Sequence, residues 1–225
     1  MRTAKPRGHR RTERWYALAM SGWLVALTLG VAFFVAGSEL ASWRRRRRTV
    51  ERTRRAVSQI GNSHQLLEHG QALLDLNRLA EAASVLREAV AAEPDSLAAR
   101  WTLAIAEFRR GRFEAARDEL ARVLAADQRY KFGDASLLYG KALAAAGDRD
   151  AAAAHLTKHV RLWYQPEALA TLAQVLHERG DQEAARRRFA EFETEVRNLP
   201  GLLTHVQWWW AARDLRRKIA RRGTD

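Results

Sequence analysis

Cysteine is absent from the 225 residues. Its absence excludes disulfides and thiol chemistry and leaves the redox compartment open. Also missing are a glycine-rich phosphate loop, a nucleophile motif and a convergent pair of carboxylates, so enzymatic readings find little footing. The best-placed candidate ligands are His155 and His159, spaced i, i+4 on one helix face as metal ligands can be. No acidic third ligand sits one turn away. Both are therefore read as structural or surface histidines, a metal-dependent enzyme is a distant alternative, and no cofactor is expected. Lysine is scarce beside arginine, and the heavy use of Arg and Ala is of the kind associated with high-GC bacterial genomes.

Charge is unevenly spread. Residues 1–60 carry a net +11, residues 61–200 a net −2 and residues 201–225 a net +4. A nucleic-acid binder should carry its positive stripe on the folded surface. Here the middle of the chain is close to neutral, so no nucleic-acid partner is expected. The basic excess is concentrated in Arg44, Arg45, Arg46, Arg47 and Arg48, with Arg52, Arg54 and Arg55 close behind.

The one long apolar run lies just before that block. Trp15 to Ala36 is 22 residues without a charge, and ~20 such residues suffice to cross the hydrocarbon core. Trp15, Tyr16 and Trp43 flank it, where interfacial aromatics belong. The reading is a basic tail over 1–14, a single transmembrane helix over 15–41 and a basic, helical juxtamembrane linker over 42–62. A cleaved signal peptide competes, with Ala36-Gly37-Ser38 as its small-residue site. Five consecutive arginines resist translocation, however, and favour retention as an anchor. They also suit anionic lipid head groups, at about 1 kcal/mol per basic residue near the surface. The contiguous block favours an inner-membrane protein with its C-terminal domain in the cytoplasm. Basic residues on both flanks leave a periplasmic orientation as the alternative.

The remaining chain repeats. Gly111 opens Gly-Arg-Phe-Glu-Ala-Ala, Gly147 opens Gly-Asp-Arg-Asp-Ala-Ala, Gly180 opens Gly-Asp-Gln-Glu-Ala-Ala, and Asn77 opens the variant Asn-Arg-Leu-Ala-Glu-Ala. The steps between them are 34, 36 and 33 residues. A period near that length marks a helical solenoid of stacked two-helix units. Numbering each of these turn residues fifteen, position eight holds Gly70, Ala104, Gly140 and Ala173, and position twenty holds Ala82, Ala116, Ala152 and Ala185. Small residues recur at both positions because two helices crossing closely leave no room for larger ones.

This pattern resembles the tetratricopeptide repeat over residues 63–200, in units 63–96, 97–132, 133–165 and 166–200. The departures are Gln128 and Tyr164 near the closing-proline position and His159 where alanine is usual. The expected fold is all-α: the transmembrane helix, a right-handed solenoid of four hairpins, and a C-terminal capping helix with a basic tail over 201–225. The capping helix is apolar on nearly every side. Trp208, Trp209 and Trp210 fan around it, so one indole should either stay partly exposed on a thick cap or face a partner or the bilayer interface.

The resemblance also implies a site, because the first helix of each hairpin lines the concave face in such solenoids. The positions that point there include Leu67, Gln71 and Leu74, then Trp101, Ile105 and Phe108, then Leu137 and Lys141, and finally Gln174 and His177. Trp101, Ile105 and Phe108 form an apolar stripe, either lining the groove or, with the register shifted by one, in the core. Family members that clamp a peptide carboxylate use asparagine at position six, where this chain has Glu68, Thr102, Leu138 and Thr171. That clamp is not supported. The expected role is a non-catalytic membrane-anchored scaffold holding a protein or peptide partner, with a periplasmic or secreted assembly factor as the alternative.

Overall fold

The turn residue that sets the period also sets the backbone. Asn77, Gly111, Gly147 and Gly180 all have positive φ, at 59°, 77°, 93° and 93°. Each closes the first helix of a hairpin in the same way. The amide after it bonds back five residues, Arg78 to the Leu73 carbonyl at 2.9 Å and Arg112 to Glu107 at 2.9 Å. Asp148 bonds to Leu143 at 3.0 Å and Asp181 to Leu176 at 3.0 Å. This closure needs a left-handed residue, which glycine adopts freely and asparagine tolerates.

The computed structural model describes residues 9–59, 61–198, 213 and 216, with 9–26 and 28 described by backbone alone. Among the described residues there is no strand. The helices are α1 (His9–Gln59), α2 (Ser63–Asp75), α3 (Leu79–Ala92), α4 (Leu97–Arg109) and α5 (Phe113–Ala126). A short turn, Tyr130–Gly133, leads to α6 (Asp134–Ala145), α7 (Arg149–Leu162), α8 (Pro166–Arg179) and α9 (Gln182–Asn198). Consecutive pairs from α2 onward pack as hairpins, and each hairpin packs on the next. Side-chain caps start several helices: Asn62 accepts the Gln65 amide at 2.9 Å, Asp148 that of Ala151 at 3.1 Å, and Asp181 that of Ala184 at 3.1 Å.

Inside the hairpins, the small residues lie where the helices meet. Ala82, Ala116, Ala152 and Ala185 are fully buried, as are Leu86, Leu120 and Leu156 four residues further on. His159 occupies the same place in its hairpin as Ala89, Val123 and Phe192, and like them it is buried. One ion-pair group is buried with the apolar residues. The Glu107 carboxylate receives Arg87 at 2.6 Å and Arg110 at 3.0 Å, joining the first hairpin to the second.

The chain divides between Arg52 and Thr53 into two units. In the second unit, the end of α1 packs on the first hairpin. Val57 lies against the Leu66, Ala89 and Ala99 cluster, and the Thr53 hydroxyl is 2.9 Å from Nδ1 of His69. In the first unit, the expected span lies within α1. Leu27, Leu29, Val31, Phe33, Phe34 and Val35 are exposed on it, while the side chains before Leu27 lie outside the described residues. Among the described residues, no helix is long and apolar enough to cross a membrane. The expected capping helix lies outside the described residues except at Arg213 and Arg216, and so do Trp208, Trp209 and Trp210. Arg216 pairs with Glu193 on α9.

Candidate functional site

Two concavities open between the first helices of neighbouring hairpins. The larger, about 300 Å³, lies between α2 and α4 and is lined by Gln71, Leu74, Trp101, Ile105, Tyr130 and Lys131 among others. It unites four of the residues expected in the groove. Trp101 is half-buried and stands edge-on to Tyr130, with ring centroids 6.2 Å apart. Arg109 ties the rim to the first hairpin by donating to the Leu74 carbonyl at 3.3 Å and to Asn77 Oδ1 at 3.1 Å.

The second concavity, about 290 Å³, lies between α6 and α8 and brings Lys141 and Gln174 together with Thr171 and Glu178. Lys141 pairs with Glu167, and Gln174 donates to Glu178 at 2.9 Å. The remaining expected residues line neither concavity. Phe108 packs edge-on against Phe113 at 5.4 Å, Leu67 is half-buried, and Leu137 and His177 are buried, with His177 Nδ1 2.8 Å from Gln182 Oε1.

The left-handed turn beside Trp101 is the part of this site that sequence reasoning missed. Lys131 and Phe132 both have φ of 53°. Such left-handed geometry costs ~1–2 kcal/mol per non-glycine residue and is concentrated at functional sites. Phe132 is 83% exposed. The signal in the sequence was the 36-residue step from Gly111 to Gly147, longer than its neighbours. The extra length is accommodated here.

On the other side of the hairpins, His155 and His159 belong to one hydrogen-bond network. Among the described residues, no group of three or more ligating side chains could hold a metal. The His155 Nε2–H donates to the Ser136 carbonyl at 2.9 Å, and the Ser136 hydroxyl lies 3.0 Å from Nδ1 of His159. His159 Nε2 lies 3.4 Å from Gln165 Oε1, which fixes the proton on that nitrogen and leaves Nδ1 to accept from Ser136. Burial pushes both imidazoles below the ordinary histidine value of 6.5. In α1, the Arg44–Arg48 side chains are exposed, and the Arg47 guanidinium stacks over Trp43 at 5.1 Å.

The architecture defines a helical-repeat protein. Tetratricopeptide repeat family models match residues 73–131, and again residues 134–156 with 166–191, so the chain carries tetratricopeptide repeats. Solved structures of similar fold include a crystal structure of MamA, 21% identical, covering 64% of this chain and 85% of that one at a TM-score of 0.60. MamA 41-end from Desulfovibrio magneticus RS-1 is 17% identical and covers 72% of this chain and 97% of its own at 0.62. TTC0263, a thermophilic tetratricopeptide-repeat protein of Thermus thermophilus, is 22% identical and covers 78% and 94% at 0.55. These likenesses carry the fold alone. No curated protein matches in sequence.

Proposed function

We propose that the protein is a non-catalytic, membrane-anchored scaffold that holds a protein or peptide partner against the first helices of its repeats. The observation that carries this reading is the concavity where Gln71, Leu74, Trp101 and Ile105 converge. A half-buried tryptophan lining a groove matches the aromatic anchors that dominate recognition energetics. Solenoids of this kind use their extended faces for binding.

The anchor rests on the uncharged stretch from Trp15 to Ala36 and on the arginine block after it. The exposed apolar side chains from Leu27 to Val35 support it. In this reading the span is single, Arg44–Arg48 lie at the anionic head groups, and the repeats face the cytoplasm. The test has two arms. The full-length protein should stay with membranes through carbonate extraction, and a reporter fused after Asp225 should give a cytoplasmic signal. Crosslinking and affinity capture from detergent extract should return one partner from the wild type and much less of it from Trp101→Ala. A protein released by carbonate removes the anchor, and equal recovery by both proteins removes the groove.

A further inference from the structure

A third cavity, about 390 Å³, lies away from the groove, between α5 of the second hairpin and α6 and α7 of the third. Its volume falls within the ~300–1,000 Å³ range of small-molecule pockets. The apolar part of its wall is Leu124 from α5, Tyr139 from α6, and Leu162 and Trp163 at the end of α7. Leu162 is 77% exposed, an apolar side chain the fold leaves uncovered at the cavity rim. Trp163 is held in place by its neighbour, since a Cβ added to Gly133 would fall 2.7 Å from the indole Cγ. The pocket end is therefore shaped by packing rather than by a free loop.

The polar lining has one sign of charge. Ser136, His155 and His159 form the closed network described above, and both imidazoles are neutral at pH 7 because burial disfavours the charged form. The neutral amide of Gln128 and the ammonium of Lys158 also line the cavity, and no carboxylate does. Its side chain is exposed, and among the described residues no acidic group pairs with it. A single uncompensated ammonium at the edge of an apolar pocket selects for an apolar body carrying one negative charge.

We infer that the cavity between α5, α6 and α7 is a binding site for a small apolar monocarboxylate, its carboxylate on Lys158 and its apolar body between Leu124, Tyr139 and Trp163. The site is separate from the proposed partner groove. Neither α2 nor α4 contributes to it, and the groove could fail while this site stands.

The probe is 3-phenylpropionate, compared with its neutral amide by saturation-transfer NMR on the purified full chain in lipid nanodiscs, with empty nanodiscs subtracted. The acid should bind saturably and up to about fivefold tighter than the amide, the effect expected of one solvent-screened charge contact. Lys158→Gln should erase that preference. Ala125→Trp, which fills the cavity from an exposed position without altering charge, should abolish binding of both probes with an unchanged melting temperature. Absence of saturable binding by the wild type overturns the inference. So does binding that survives Ala125→Trp, or a preference for the acid that survives Lys158→Gln. If Ala125→Trp unfolds, the lysine variant alone decides, because its side chain is exposed.

Discussion

Gly140 lies so close to Leu156 that a Cβ on the glycine would fall 2.5 Å from the leucine Cδ2. Gly70 stands in the same relation to Leu86, also at 2.5 Å. The two helices of these hairpins therefore touch, backbone against a fully buried leucine. Gly140→Ala gains helix propensity of ~1 kcal/mol but must displace Leu156, and overpacking costs about 1–3 kcal/mol. Net destabilisation is expected, read as a lower melting temperature. The same argument applies to Ala116, fully buried at its crossing: Ala116→Leu should cost about 1–3 kcal/mol. An unchanged melt for both variants would place the crossings elsewhere.

A second prediction concerns Glu107. Its carboxylate is 3% exposed and takes guanidinium groups from two directions. Arg87 is 48% exposed, so its attraction is screened by solvent, and the cost of losing the pair lies mainly in the buried partner. Glu107→Gln should destabilise by about 1–3 kcal/mol, while Arg87→Gln should cost less, because Arg110 still pairs with the carboxylate. Denaturant midpoints for the two variants check the order. A larger loss in Arg87→Gln would show that the link between hairpins, rather than burial of the charge, sets the energy.

Much of this fold was legible because its period is enforced by sterics. Only small residues fit where Ala82, Ala116, Ala152 and Ala185 lie, and only a residue that tolerates positive φ suits the turns at Asn77, Gly111, Gly147 and Gly180. The groove was legible in part. Gln71, Leu74, Trp101 and Ile105 line one concavity, as the resemblance implies, whereas Phe108 packs edge-on against Phe113. The turn at Lys131 and Phe132 gave no local sign, since neither residue favours the left-handed conformation it holds. Nor could the network around His159 be read, because Ser136 is 23 residues away and only tertiary packing brings it near. In the sequence, His159 is simply a misfit at a small position.

That network makes stability depend on pH. His155 and His159 have folded values below the ordinary 6.5, chiefly through burial, and His69 is lowered by burial and by Arg54 and Arg78. Above pH 6.5 these groups are neutral in both folded and unfolded chains and contribute no pH dependence. Below it the unfolded chain binds protons that the folded state refuses, so stability falls with pH until the lower folded values are reached. Denaturation midpoints measured from pH 8 to pH 5 should decline, and His155→Gln should flatten the decline. Midpoints that rise on acidification would mean that the imidazoles gain a carboxylate partner instead.

The final prediction tests the groove. Trp101 is half-buried and keeps one edge against Tyr130, beside a turn whose strained residues leave Phe132 exposed. It also packs against the cluster containing Ala104 and Leu120, so truncation has a folding cost as well as a binding cost. The two are separable. The fully buried neighbours that carry the core remain in Trp101→Ala, so its melting temperature should fall by only a few degrees. Truncating a central aromatic anchor typically costs about 2 kcal/mol or more in binding, roughly thirtyfold in affinity. Phe132→Ala offers the complementary case, since an 83% exposed side chain contributes little to folding. It should leave the melt unchanged and weaken partner binding if the turn belongs to the recognition surface. A Trp101→Ala protein that loses most of its stability while Phe132→Ala binds normally would assign Trp101 to the core and the groove to packing alone.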